Sequence, residues 1–242
     1  MDVTHHLQTF ALYAIPVLFA ITLHEAAHGF VARHFGDMTA YAQGRVSLNP
    51  IRHVDPIGTI VVPLAILVVS SGAFFFGWAK PVPVNYSALR NPRRDMGWVA
   101  AAGPAANLAM AIFWAIVLRI GVVLSGRADA WGEVASQFGA GGVVQVVLMH
   151  GSGVAEYLIG VGAAGIVVNL ILMLLNLLPI PPLDGGRIVT SLLPRRAAWR
   201  FAKIEPWGMA IILLLLFTKQ LNAVLGPLLA ESDALIRAVV FL

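Results

Sequence analysis

His24, Glu25 and His28 stand in the run His24-Glu25-Ala26-Ala27-His28, the spacing H-E-x-x-H. On a helix, positions i and i+4 share one face, so both imidazoles can reach a single Zn²⁺. The glutamate beside the first can then take a proton from an attacking water. Two histidines and a glutamate facing water at a helix end are the plainer alternative. The preceding stretch Thr9 to Leu23 is nearly all apolar, however, and ionisable side chains at membrane depth are costly and mark function by default. A catalytic zinc site takes three protein ligands and leaves one position open. Asp55, Asp95, Glu156 and Asp184 are the internal acids that can supply the third. Asp184 is favoured. It directly follows an apolar span, in Asn176-Leu177-Leu178-Pro179-Ile180-Pro181-Pro182-Leu183-Asp184-Gly185-Gly186, where prolines and glycines break the helix and can present a carboxylate on irregular backbone.

These residues need elements that cross a membrane. Of 242 residues, 59% are hydrophobic and 12% charged, with a mean hydropathy of +0.82; a soluble domain carries about a quarter charged. Apolar runs long enough for a roughly 30 Å hydrocarbon layer extend from about Leu7 to Val31, Met96 to about Leu124 and Val154 to Leu178. A shorter run, Ile57 to Phe76, is interrupted by Pro63 and by Ser70, Ser71 and Gly72, and a last one starts near Pro206 and becomes ambiguous at Lys219. Ala128 to Gly153 reads as a glycine-rich, weakly amphipathic connection. The expected fold is an all-α polytopic membrane protein: a bundle of about four to six transmembrane segments in one domain spanning residues 1–242, with a motif core over about 7–187 and C-terminal segments over about 199–242. The first run is not expected to be a cleaved signal, because Met1 to Thr9 offers no Lys or Arg.

The formal charge is +4 and the pI near 9.9. In such a chain this is loop charge that fixes orientation and meets anionic headgroups, and no nucleic-acid partner is expected. The absence of cysteine excludes disulfides and thiolate ligands. Arg33 to Arg52, Lys80 to Arg94 and Arg187 to Lys203 hold twelve of the sixteen basic residues. The positive-inside rule puts all three groups in the cytoplasm, so Ile57–Phe76 must enter and return on one side. A short helix over about Pro56 to Ser70 and an extended return over Gly72 to Val84 are expected; an ordinary span is the alternative. His24, His28 and Asp184 then all fall near the cytoplasmic end.

Taken together, the motifs resemble the site-2 protease family of intramembrane zinc metalloproteases. The matching parts are His24 to His28, Gly103-Pro104-Ala105-Ala106-Asn107 and Asn176 to Gly185, within about Leu7 to Arg187. Gly44 to Pro50 and Gly77 to Asn85 look like a short prokaryotic branch, one without the PDZ domain that many relatives carry. The resemblance implies three core helices around one Zn²⁺, with His24, His28 and Asp184 as ligands and Glu25 as general base. It also implies an endopeptidase of the cell membrane that cuts transmembrane segments of membrane-protein substrates. A helical substrate must unwind, and the extended stretch Gly77 to Asn85 can pair with it at an edge.

Asn107 has two readings, a catalytic one as donor to the scissile carbonyl or its oxyanion, and a packing one as a bond to a neighbouring helix. Asn176 is similar, with packing favoured. His53 and Asp55 read as a solvated interfacial loop or as an auxiliary site, and Trp78, Trp98 and Trp207 as interface anchors. A zinc transporter using the same His/Asp site is the main rival, although it has no need of a non-ligating Glu25. Proteases of prenylated peptides use a glutamate ligand, and no matching downstream Glu is found. The sequence sets no oligomeric state, and a homo-oligomer is compatible with it.

Overall fold

A computed structural model describes residues 3–62, 65 and 80–241. They are helical, without a strand among the described residues. The elements are α1 (Val3–His34), α2 (Thr39–Ala42), α3 (Pro92–Ser125), α4 (Ala128–His150), α5 (Val154–Asn176), α6 (Asp184–Leu192), α7 (Arg195–Ala202), α8 (Glu205–Phe217) and α9 (Gln220–Phe241). Leu7–His34, Pro92–Ser125 and Val154–Asn176 are each long and apolar enough to cross a bilayer. Glu205–Phe217 and Gln220–Ala238, bent by 81°, add a fourth if they form one broken span. That break falls at Lys219, which turns with φ 60°, where the sequence becomes ambiguous.

Helix α5 is apolar all round and lies innermost, with every residue from Ile159 to Ile166 buried, as a helix without a polar face must be. Small residues let α3 approach it. A Cβ on Gly162 would lie 2.6 Å from the Leu118 nitrogen, and one on Gly165 only 2.1 Å from the Trp114 ring. Leu118, Trp114 and Asn107 of α3 meet Gly162, Gly165 and Asn169 of α5 in reverse chain order, so the two are antiparallel. The same holds for α1 and α3, since His28 meets Val99 and Ala20 meets Asn107. Helices α1 and α5 are therefore parallel. The end of α1, the start of α3 and the chain after α5 share one end of the bundle.

Ala128 to Gly153, expected as a connection, is mostly the helix α4. Trp131, Ala135, Val143, Val144 and Val147 are buried together with α3 and α5 residues, and this packing outweighs the low helix propensity of its glycines. Gly139 breaks α4 with φ 67° and ψ −176°, a conformation open to glycine. Helix α9 caps the break: Asp233 Oδ2 accepts the Ala140 N–H at 3.2 Å, and Arg237 donates to the Ala135 carbonyl at 2.5 Å and to Asp233 at 2.9 Å.

A helical turn starts at Pro56, capped by Asp55 Oδ1, which accepts the N–H groups of Ile57 and Gly58 at 2.9 and 3.1 Å. Most of the expected re-entrant helix and its return, together with Trp78, lies outside the described residues. Its two ends do meet: the Lys80 N–H donates to the His53 carbonyl at 2.9 Å, so the chain comes back to where it left. Non-helical residues 80–85 then run along α1. Arg45 donates to the Lys80 carbonyl at 2.7 Å, and buried Asp37 accepts the Asn85 N–H at 2.7 Å.

Candidate metal centre

The i, i+4 spacing on α1 brings His24 Nε2 and His28 Nε2 to 3.1 Å from each other. Asp184 Oδ2 lies 3.2 Å from the first and 3.3 Å from the second. All three residues are buried. Asp184 is the first residue of α6 rather than part of a loop, and the glycines after it are needed for close approach. A Cβ on Gly185 would sit 2.2 Å from the Leu177 carbonyl oxygen, and one on Gly186 2.4 Å from the Pro181 nitrogen. Gly103 of α3 clears space on the other side, since a Cβ there would come within 2.5 Å of His24 Cε1 and His28 Nε2. Asp55 and Asp95 are cap acceptors elsewhere, and Glu156 is in the first turn of α5, so of the four acids only Asp184 joins the histidines.

A chain of hydrogen bonds fixes the histidine tautomers. The Gly165 carbonyl can only accept, so it takes the Asn169 amide at 2.9 Å and leaves Asn169 Oδ1 facing Asn107. Asn107 Nδ2 donates to that oxygen at 3.0 Å and to the Ala20 carbonyl at 3.4 Å. Asn107 Oδ1 is thus turned to His24, whose Nδ1–H donates to it at 2.6 Å. His28 Nδ1–H donates to the Val99 carbonyl at 2.7 Å. Both Nε2 atoms are left as bare lone pairs, which do not hydrogen-bond each other at 3.1 Å. Asp184 Oδ2 is buried without a hydrogen-bond donor.

Three electron-pair donors facing one point need a cation between them. A tetrahedral ion with bonds of about 2.0–2.1 Å has ligand edges of about 3.3–3.4 Å, close to the distances found here. The donor set fits Zn²⁺.

The sequence profile of peptidase family M50 matches residues 12–218. The chain belongs to peptidase family M50. Two similar proteins bear the name "Putative zinc metalloprotease": YwhC of Bacillus subtilis and Rip2 of Mycolicibacterium smegmatis. YwhC is 35% identical over 224 residues, 92% of this chain and 88% of its own length. Rip2 is 29% identical over 205 residues, 85% of this chain and 66% of its own length. No solved structure matches the chain. This M50 peptidase is a multi-pass membrane zinc metalloprotease.

In the M50 peptidase Glu25 stands outside the trio, its Oε2 accepting the Val82 N–H at 2.7 Å. A cavity of about 360 Å³ opens beside it, bordered by the three clustered residues and by Val82, Tyr86, Asn176 and Arg187. Asn176 donates to the Leu172 carbonyl at 2.9 Å. His53 is buried, with Nε2 donating to the Ser47 carbonyl at 2.8 Å. Neither His53 nor Asp55 borders the cavity; both tie down the chain around Pro56. Trp98 and Trp207 are exposed. Sequence reasoning missed Asn169, Tyr86 and Arg187. An asparagine inside an apolar span was the available signal for the first. For Arg187 the signal was its place three residues after Asp184, one helical turn on; Tyr86 had none, because only folding brings it to the cavity.

Proposed function

We propose that this peptidase cuts transmembrane segments of membrane proteins at the cytoplasmic side of the cell membrane. In this reading His24, His28 and Asp184 hold one zinc ion and Glu25 is the general base. Zinc in this position supplies Lewis acidity to a peptide carbonyl and makes water acidic. Glu25 takes the proton of the attacking water and returns it to the leaving amine. Asn107 holds His24 in the tautomer that leaves Nε2 free, a positioning role that its hydrogen bonds favour over direct donation to substrate.

The observation that carries the reading is the place of Glu25. A transport site needs ligands only, whereas hydrolysis also needs a carboxylate beside the ligands and in the same cavity. The side of the membrane rests on charge. Most of the basic residues lie in segments at the end of the bundle that holds the trio. Substrate class rests on access: Val82 and Val84, in non-helical backbone, border the cavity, where an unwound segment can lie beside them.

The test is cleavage of a panel of single-span substrates by purified protein, with and without a chelator, against Glu25→Gln. The variant is expected to keep one zinc per chain and its fold while losing turnover. Most of the wild-type turnover remaining in Glu25→Gln at full zinc content would overturn this mechanism.

A further inference from the structure

Hydrolysis of a peptide bond needs a donor for the charge that develops on the carbonyl oxygen. As water attacks, its oxygen bonds to the carbonyl carbon, its proton goes to Glu25, and the π pair moves onto the carbonyl oxygen. The pair then returns, the C–N bond breaks, and the proton passes from Glu25 to nitrogen. Asn107 is not available to that oxygen, because it is fully buried behind His24 and its amide is already bonded.

Arg187 is the one Lys or Arg bordering the cavity among the described residues. It follows Asp184 by three positions on α6, so the two side chains leave the same face. Its Nε donates to the Pro182 carbonyl at 3.3 Å, and Nη1 donates to the Tyr86 hydroxyl. Nη2 stands 3.8 Å from the Glu205 carboxylate, which is itself half exposed. A guanidinium carries five N–H donors in a rigid fork, so these contacts fix its plane and leave N–H groups for a ligand. Its centre lies 5.1 Å from the centroid of the Tyr86 ring. Burial pushes the Tyr86 phenol up, only partly countered by Arg187, so it stays neutral beside the cation.

The charge count points the same way. Zinc is balanced by Asp184 and Glu25, and when Glu25 takes the proton the negative charge moves to the carbonyl oxygen. Among the described residues, Arg187 is the remaining fixed positive group bordering the cavity.

Resting on the zinc-peptidase reading above, we infer that Arg187 is a further catalytic residue. It donates to the scissile carbonyl oxygen and to the oxyanion formed from it, and Tyr86 is the positioning residue that holds its fork.

The test uses the full chain in detergent, loaded with zinc, and a substrate that the wild type cleaves. Arg187→Gln, Arg187→Lys and Tyr86→Phe are compared by zinc content, by kcat and KM, and by affinity for a phosphinic peptide of the cleaved sequence, a tetrahedral anion. Arg187→Gln is expected to keep its zinc, lose about 10²–10³ in kcat and lose a comparable factor in phosphinic-peptide affinity, with KM nearly unchanged. Arg187→Lys should recover part of both, since it keeps the charge without the fork. Tyr86→Phe should fall in between, and these two conservative variants carry the test if Arg187→Gln does not fold. Three results overturn the inference: kcat of Arg187→Gln near that of the wild type, a loss confined to KM, or phosphinic-peptide affinity unmoved while kcat falls. A wild type that neither holds zinc nor cleaves any substrate would instead remove the reading on which this one rests.

Discussion

The amide relay behind His24 sets a quantitative expectation for Asn107→Leu. Leucine is similar in size and keeps the contact with α1 and α5, but it removes the acceptor 2.6 Å from His24 Nδ1 and the donor 3.0 Å from Asn169 Oδ1. His24 Nδ1–H is then buried without a partner, at a cost of about 1–3 kcal/mol. It can escape by moving the proton to Nε2, which abolishes the ligand lone pair. Either route weakens zinc binding, and outer-shell losses of this kind are about 10–100-fold in metal affinity, or about 1.4–2.8 kcal/mol at 1.4 kcal/mol per factor of ten. Asn169→Leu should act in the same direction but less strongly, because Asn107 keeps the Ala20 carbonyl as a partner and can rotate. The assay is a zinc competition titration against a chromophoric chelator in detergent, with helicity and thermal unfolding measured alongside. Zinc affinity of a folded Asn107→Leu within twofold of the wild type would refute the relay. So would an Asn169→Leu effect larger than that of Asn107→Leu.

Gly103→Ala should strip zinc although it raises helix propensity by up to about 1 kcal/mol, since the new Cβ lies 2.5 Å from His24 Cε1 and His28 Nε2; metal analysis showing one zinc per chain in a folded variant would contradict this. Asp233→Ala takes the acceptor from the Ala140 N–H and the carboxylate from Arg237, which keeps the Ala135 carbonyl, and should cost about 1–3 kcal/mol of stability for the polar groups left unsatisfied. Replacing both Asp233 and Arg237 by apolar residues should cost less, read from chemical denaturation in detergent. Single cysteines at positions 43, 91 and 198 are easily placed because the native chain has none. All three are expected to react with an impermeant thiol reagent from the cytoplasmic side only, and labelling of position 43 from outside would make 57–76 a true span.

Much of this protein is legible in its sequence because membrane burial magnifies local signals. Apolar runs of about twenty residues have few stable options other than spanning helices, so α1, α3 and α5 are readable without a structure. The H-E-x-x-H spacing works through helical geometry alone, since i and i+4 share a face wherever the helix goes. Breakers after α5 likewise mark where Asp184 can leave the span. Helix α4 was not readable. Its glycines weaken the local signal, and it forms because Trp131, Val143 and their neighbours bury against helices distant in sequence, with α9 capping the break at Gly139. The path of 80–85 along α1 also depends on long-range bonds, from Arg45 and to Asp37. For the same reason Asn107 could be seen as a polar residue in a span but not assigned a role. Whether its amide faces a substrate or His24 depends on Asn169 and on one carbonyl, Gly165, about sixty residues away. Type and spacing supply the ligands; the orientation of each donor and acceptor is decided by which helices pack together.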